Sequence, residues 1–336
     1  MYNVVFSRFT HGDKSLNAFT ITRSVRRMHV TAAYVKIETH AEYDTMDPVF
    51  NPSFTFMSDA YEDAALKQIC NMNGVKRMED LASNLADSYE LIEDVVDYTD
   101  SDAYKSGELK DLNTKDTKIT LELNQEPSVE GSLKTTCALS DALVLQYYEA
   151  PDATAAAFGN DLSDDQWKLL SQAKDTYIDV LCTAPLVATN LAHPLLEEIG
   201  SEMDAKDRVF TFLCGHDSNI ASVLAALDAE EYELPGAIES ATPIGAKLVF
   251  ERRTNAKGEE FGRLRMLYQS VKQLREGTML SGTEAPMSVD LSLNGLKKNG
   301  DGLYSYDELR TRVADAAAEY DELVREYGAA EIDQAA

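Results

Sequence analysis

His216 and Asp217 are the residues of this chain whose types and setting could do chemistry. They occur in Gly215-His216-Asp217-Ser218-Asn219, directly after Arg208-Val209-Phe210-Thr211-Phe212-Leu213-Cys214. A compact apolar run that ends in glycine reads as a buried strand, and Asn219 to Leu227 reads as a helix. A strand that feeds a loop and a helix amino terminus is where α/β proteins hold ligands, and the free N–H groups there favour an anion. The same residues have a plainer use, because Asp217 or Ser218 could simply cap the helix.

The elements that must position this loop can be read from the apolar pattern. Helical patterns run over Ala60 to Asn73, Met78 to Leu85, Ser88 to Tyr98 and Ala138 to Tyr148. Asp164 to Cys182 carries a stripe of Trp167, Leu170, Ala173, Tyr177 and Val180 that reads as core, and a helix follows over Pro185 to Ile199. Strands are expected at Ala246 to Glu251 and Arg263 to Gln269, on either side of a turn with Asn255 and Gly258. A helix over Tyr306 to Tyr327 closes the chain. The two prolines of Asp47-Pro48-Val49-Phe50-Asn51-Pro52 exclude a helix interior, and the acidic stretch Thr99 to Asn124 reads as a loop with a short strand near Ile119. The pattern is that of an α/β region preceded by a mostly helical insert.

With 336 residues, 44% of them hydrophobic, the chain can bury a sizeable core. Its net charge of -27 repels nucleic acid and anionic membranes, and no apolar run is long enough for a membrane span. An anionic substrate would therefore require positive charge concentrated in a pocket. The start, Met1-Tyr2-Asn3-Val4-Val5-Phe6, shows no signal peptide. The four cysteines are far apart and form no metal-binding pattern, so no metal or other cofactor is expected, and compartment and oligomeric state stay open.

Longer stretches carry a resemblance. Cys214-Gly215-His216-Asp217-Ser218-Asn219-Ile220-Ala221-Ser222 is similar to the G-H-D-[ST]-N-[IL]-A segment of bacterial histidine acid phosphatases. Ala241-Thr242-Pro243-Ile244-Gly245-Ala246-Lys247-Leu248-Val249-Phe250-Glu251-Arg252 is similar to that family's T-P-[IPG]-G-[GA]-[KE]-[IL]-V-F-[QE]-R. Tyr43 to Pro52, Gln125-Glu126-Pro127, Leu145 to Glu149 and Asp165-Gln166-Trp167-Lys168 extend it over roughly residues 36 to 325, and the set looks most like the glucose-1-phosphatase and phytase branches.

The resemblance implies a Rossmann-like mixed sheet flanked by helices. It also implies hydrolysis of small phosphorylated substrates through a phosphohistidine, with arginines on the phosphoryl oxygens. Carried over by position, Asp217 would be the general acid and His216 a phosphoryl contact, with Ser218, Asn219, Arg27 and His40 on the substrate. The family's amino-terminal R-H-[GN]-x-R-x-P motif does not occur. Its nearest echo is Phe9-Thr10-His11-Gly12-Asp13-Lys14-Ser15-Leu16, which makes His11 the nucleophile candidate. The first strand and nucleophile loop are therefore expected to be missing or altered, and a truncated or non-catalytic member that binds phosphorylated ligands or is inert is the alternative. The expected division is residues 1–40 as an incomplete part of the α/β domain, 41–155 as a helical cap and 156–336 as the α/β domain carrying the His-Asp motif.

Overall fold

The computed structural model describes residues 3–8, 21–22, 47–150, 152–206 and 209–334. Along the chain come strands β1 (Asn3–Arg8) and β2 (Ile21–Thr22), then helices α1 (Asp59–Met72) and α2 (Ala86–Val95). A small hairpin, β3 (Lys118–Thr120) and β4 (Ser128–Glu130), leads to α3 (Ser132–Glu149), α4 (Asp164–Cys182) and α5 (Pro185–Asp204). The last part holds β5 (Phe210–Leu213), α6 (Asp217–Ala226), β6 (Lys247–Thr254), β7 (Glu260–Tyr268), β8 (Met287–Asp290), β9 (Tyr304–Ser305) and α7 (Tyr306–Gln334).

Seven strands form one mixed sheet in the order β2-β5-β1-β6-β7-β8, with β9 also on β7. β6 and β7 pair antiparallel over their whole length. Alternation along them sends Leu248, Phe250, Leu264 and Met266 into the core, while Arg263 and Arg265 face the other way. Their turn is made by Asn255, whose Oδ1 accepts the N–H groups of Lys257 and Glu259 at 2.9 and 3.0 Å. Gly258, at φ 83°, supplies the left-handed residue that the turn needs.

Two clusters of buried side chains divide the molecule. α1 to α4 pack around Tyr61, Tyr89, Leu133 and Trp167. The sheet packs with α5, α6 and α7 around Leu196, Ile220, Phe250 and Leu309. α4 lies beyond residue 155, yet its Trp167, Leu170 and Ala173 belong to the helical cluster. The start of α4 is fixed by a capping box between Ser163 and Gln166.

α5 runs five residues past its expected end and contains Pro194. That proline leaves the Asn190 carbonyl without its i+4 donor, and the Nδ1 of buried His193 lies 2.9 Å from it. His193 also stacks on Tyr320, with ring centroids 3.6 Å apart, so its role is packing. Pro48 sits in the first turn of a one-turn helix, Asp47–Phe50, where a missing N–H costs nothing.

A strand near the amino terminus is part of the sheet. β1 lies between β5 and β6, parallel to β6 and antiparallel to β5. Val35 to Glu38, whose residues allow a short strand, lies outside the described residues. Helix α3 begins at Ser132, six residues before the apolar stripe that signalled it. β4, β8 and β9 have four residues or fewer, too short to show a period.

Candidate active site

β5 ends at Leu213, and the chain turns through Cys214 and Gly215 into α6, for which His216 is the N-cap. Asn219 shapes this turn. Its side chain is buried, and its Oδ1 accepts the His216 N–H at 2.8 Å. A Cβ on residue 215 would lie 2.6 Å from that oxygen, so only glycine lets the amide sit against the backbone. Asp217 turns one carboxylate oxygen to the Ser218 N–H at 3.0 Å. Helix α6 thus starts two residues earlier than its apolar pattern indicates, with His216, Asp217 and Ser218 half-buried at its amino end.

These three side chains line a cavity of about 220 Å³. Its opposite wall is the last turn and a half of α4, with Tyr177, Ile178, Leu181 and Cys182. Two proline-bearing loops close it, bringing Pro52, Glu126 and Pro127. They are held together by the Phe54 N–H on the Gln125 carbonyl at 3.0 Å and the Asn124 N–H on the Phe54 carbonyl at 2.8 Å.

Sequence reasoning assigned Tyr177 to the core stripe with Trp167. Trp167 is indeed buried and stacks on Tyr147 at 4.1 Å, and Tyr177 packs half-buried against the same cluster while also lining the cavity. Burial raises its phenol pKa, and its hydroxyl makes no hydrogen bond to a described residue. Glu126 was part of a matching segment but had no assigned role. Desolvation by its surroundings raises the pKa of its carboxyl at the cavity rim. Cys182 is buried beside Asp217, and burial first, then the nearby carboxylates, pushes its thiol well up.

The positive charge expected in the pocket is not on its described wall, which carries two carboxyl groups and no lysine or arginine. The arginines of the sheet face are committed elsewhere: Arg253 and Arg265 to buried Glu251, and Arg263 to Asp290. His11, Arg27 and His40 lie outside the described residues. Because β1 runs antiparallel to β5, its carboxyl end leaves the sheet at the edge opposite His216.

A second cavity, of about 800 Å³, opens on another side of α4 and is lined by Asp175, Asp179, Glu233 and Glu239 with Lys168. Burial pushes Asp175 up to about 7 and Asp179 up to about 6. Glu239 is fully buried; it accepts the Tyr148 hydroxyl and the Ile244 N–H at 3.2 Å, and Lys174 stands 3.8 Å away. This joint ties α3 and α4 to the loop that enters β6. Among the described residues no group of three or more metal-binding side chains converges, and no helix is long and apolar enough to cross a membrane.

A mixed sheet that delivers His-Asp to a helix amino terminus, under a wall of helices, is an arrangement that can receive an anion. Comparisons with known proteins identify the class as phosphate-monoester hydrolases of the histidine acid phosphatase type. The chain is 33% identical to a glucose-1-phosphatase of Providencia rettgeri, over 89% of this chain and 73% of the relative. It is 36% identical to a glucose-1-phosphatase of Salmonella typhimurium, over 87% and 71%. The crystal structure of Hafnia alvei phytase in complex with myo-inositol hexakis sulphate shares its fold, with a TM-score of 0.76 at 23% identity over 90% of this chain and 79% of that one. No protein-family model matches the chain. The chain belongs to the histidine acid phosphatase family.

Proposed function

We propose that this chain hydrolyses phosphate monoesters whose leaving group is a neutral sugar, of the glucose-1-phosphate kind, in preference to phytate. The observation that carries this reading is the pairing of Asp217 and Glu126 across a cavity of about 220 Å³ with no lysine or arginine on its described wall. A hexose could sit there with its hydroxyl groups on the Glu126 carboxyl and the Tyr177 phenol. A leaving group bearing further phosphates would bring its negative charges against two carboxyl groups, which disfavours it electrostatically.

In this reading Asp217 protonates the leaving oxygen and His216 contacts the phosphoryl group, with Ser218 beside it. Asn219 acts indirectly, because its side-chain oxygen already holds the loop. Support for the roles comes from the placement of His216 and Asp217 at the amino end of α6, where N–H groups and the helix dipole favour an anion. His11, the candidate carried over from the resemblance, is the attacking group in this reading, and water then releases phosphate from it.

The test is phosphate release from glucose-1-phosphate, phytate and an aryl phosphate at pH about 4 to 6, the acid range suited to a carboxyl donor. The parent is compared with His11→Ala, Asp217→Asn and Glu126→Gln. Glucose-1-phosphate should have the highest kcat/KM, and Glu126→Gln should narrow its lead over phytate. A parent that prefers phytate would sink the substrate assignment. Loss of release in His11→Ala would make His11 the nucleophile.

A further inference from the structure

Lys247 opens β6 at the edge of the sheet where β5 delivers its catalytic loop. Strand β1 sits between the two, and Val4 is level with Leu213 on one side and Leu248 on the other. Leu213 and Leu248 are both fully buried in the same cluster, so they face the same side of the sheet. One residue nearer the edge, Cys214 and Lys247 therefore both point to the other side. Two ladder spacings put their backbones about 10 Å apart, and the lysine stem closes enough of that gap for its charge to interact with the Cys214 sulfur. Gly215 and His216 follow Cys214 directly.

There are 58 acidic and 31 basic residues, and several desolvated cations are neutralised: Lys174 by Asp141 and Glu239, Arg265 by Glu251, Arg252 by Glu260. Half-buried Arg275, Arg312 and Lys298 instead rest on neutral acceptors, as Lys247 does. Lys247 is half-buried, and among the described residues its ammonium makes one hydrogen bond, to the Gly245 carbonyl at 2.7 Å, and no ion pair. Gly245, at φ 72°, folds that carbonyl back onto the lysine, in a turn closed by the Ala246 N–H on the Pro243 carbonyl at 2.9 Å. A desolvated ammonium held by one neutral acceptor is poorly compensated, and burial lowers its pKa.

We propose that Lys247 binds the phosphoryl group of the substrate, its ammonium moving from the Gly245 carbonyl to a phosphoryl oxygen when the ester occupies the His216–Asp217 site. A phosphoryl dianion would supply the compensation the lysine lacks, and the lysine would supply the cation that the described wall lacks. This assignment rests on the reading of His216 and Asp217 as the phosphoryl site.

The experiment compares the full chain with Lys247→Met, Lys247→Arg and His216→Ala in two assays: steady-state release from glucose-1-phosphate, and the rise in melting temperature on adding inorganic phosphate. Lys247→Met should lose kcat/KM by tenfold or more and most of the phosphate-induced rise, with Lys247→Arg recovering both in large part. A lysine that only supports the fold would lower the melting temperature without changing the phosphate increment, and that result overturns the proposal. If His216→Ala loses the phosphate response while Lys247→Met keeps it, the site reading stands and the role of Lys247 falls. If the parent shows neither turnover nor a phosphate response, both fall.

Discussion

Two cavities flank the carboxyl-terminal half of α4, and they differ in how the chain supplies their polar groups. The larger, about 800 Å³, is lined by four carboxylates and one lysine, and two of those carboxyls are pushed toward neutrality by burial. The smaller, about 220 Å³, receives its polar groups from a strand end and a helix start, where backbone N–H groups add to the imidazole. Size does not mark the site. Both carry carboxyl groups, but only the second adds a helix amino terminus whose oriented dipole can meet an anion, and that is why we place the phosphoryl group there.

The largest expected effect separates the two directly. Asp217→Asn should lower kcat on glucose-1-phosphate by at least about 10²-fold, the range for loss of a general acid, while Asp175→Asn should leave it within about twofold. Equal losses would erase the distinction. Next comes Gly215→Ala, since the added methyl would displace the Asn219 amide and with it the His216 N–H. Overpacking of this kind costs about 1–3 kcal/mol, read as a lower melting temperature together with a fall in kcat. Tyr177→Phe should have a smaller effect, raising KM for glucose-1-phosphate by no more than about tenfold with kcat kept, as expected for one neutral hydrogen bond. An unchanged KM would remove the phenol from the sugar site.

The smallest effect belongs to the acidic cavity and concerns stability. Burial pushes Asp175 up to about 7 in the folded chain, against about 3.9 in an unfolded chain. Between those values the folded chain holds protons that the unfolded chain has released, so stability falls as pH rises. The melting temperature should be higher at pH about 5 than at pH about 8, and Asp175→Asn should flatten that slope without altering the choice of substrate. A slope unchanged in the variant would show that this carboxyl ionises freely.

Helix α4 shows how far the sequence could be read. Its bounds, Asp164 and Cys182, follow from a serine cap and an apolar stripe, both local signals. Tyr177 obeys the same period as Trp167 and packs against the same cluster, yet only Tyr177 also lines the cavity. Periodicity defines a face of a helix and says nothing about what lies across from each turn of it. Glu126 went unassigned for a similar reason. Nothing in Gln125-Glu126-Pro127 says that the loop is tied to Phe54 and swung over the His-Asp loop.

By itself the sequence determined the strand-loop-helix around Gly215-His216-Asp217, the long helices and the family resemblance, because each rests on residues close together in the chain. Only the tertiary structure decided the rest. It set the direction of β1 between β5 and β6, brought Glu126 and Tyr177 to face Asp217, and placed Lys247 level with Cys214. Those relations join residues tens to hundreds of positions apart. They are fixed by which buried faces pack together, a choice that a local pattern leaves open.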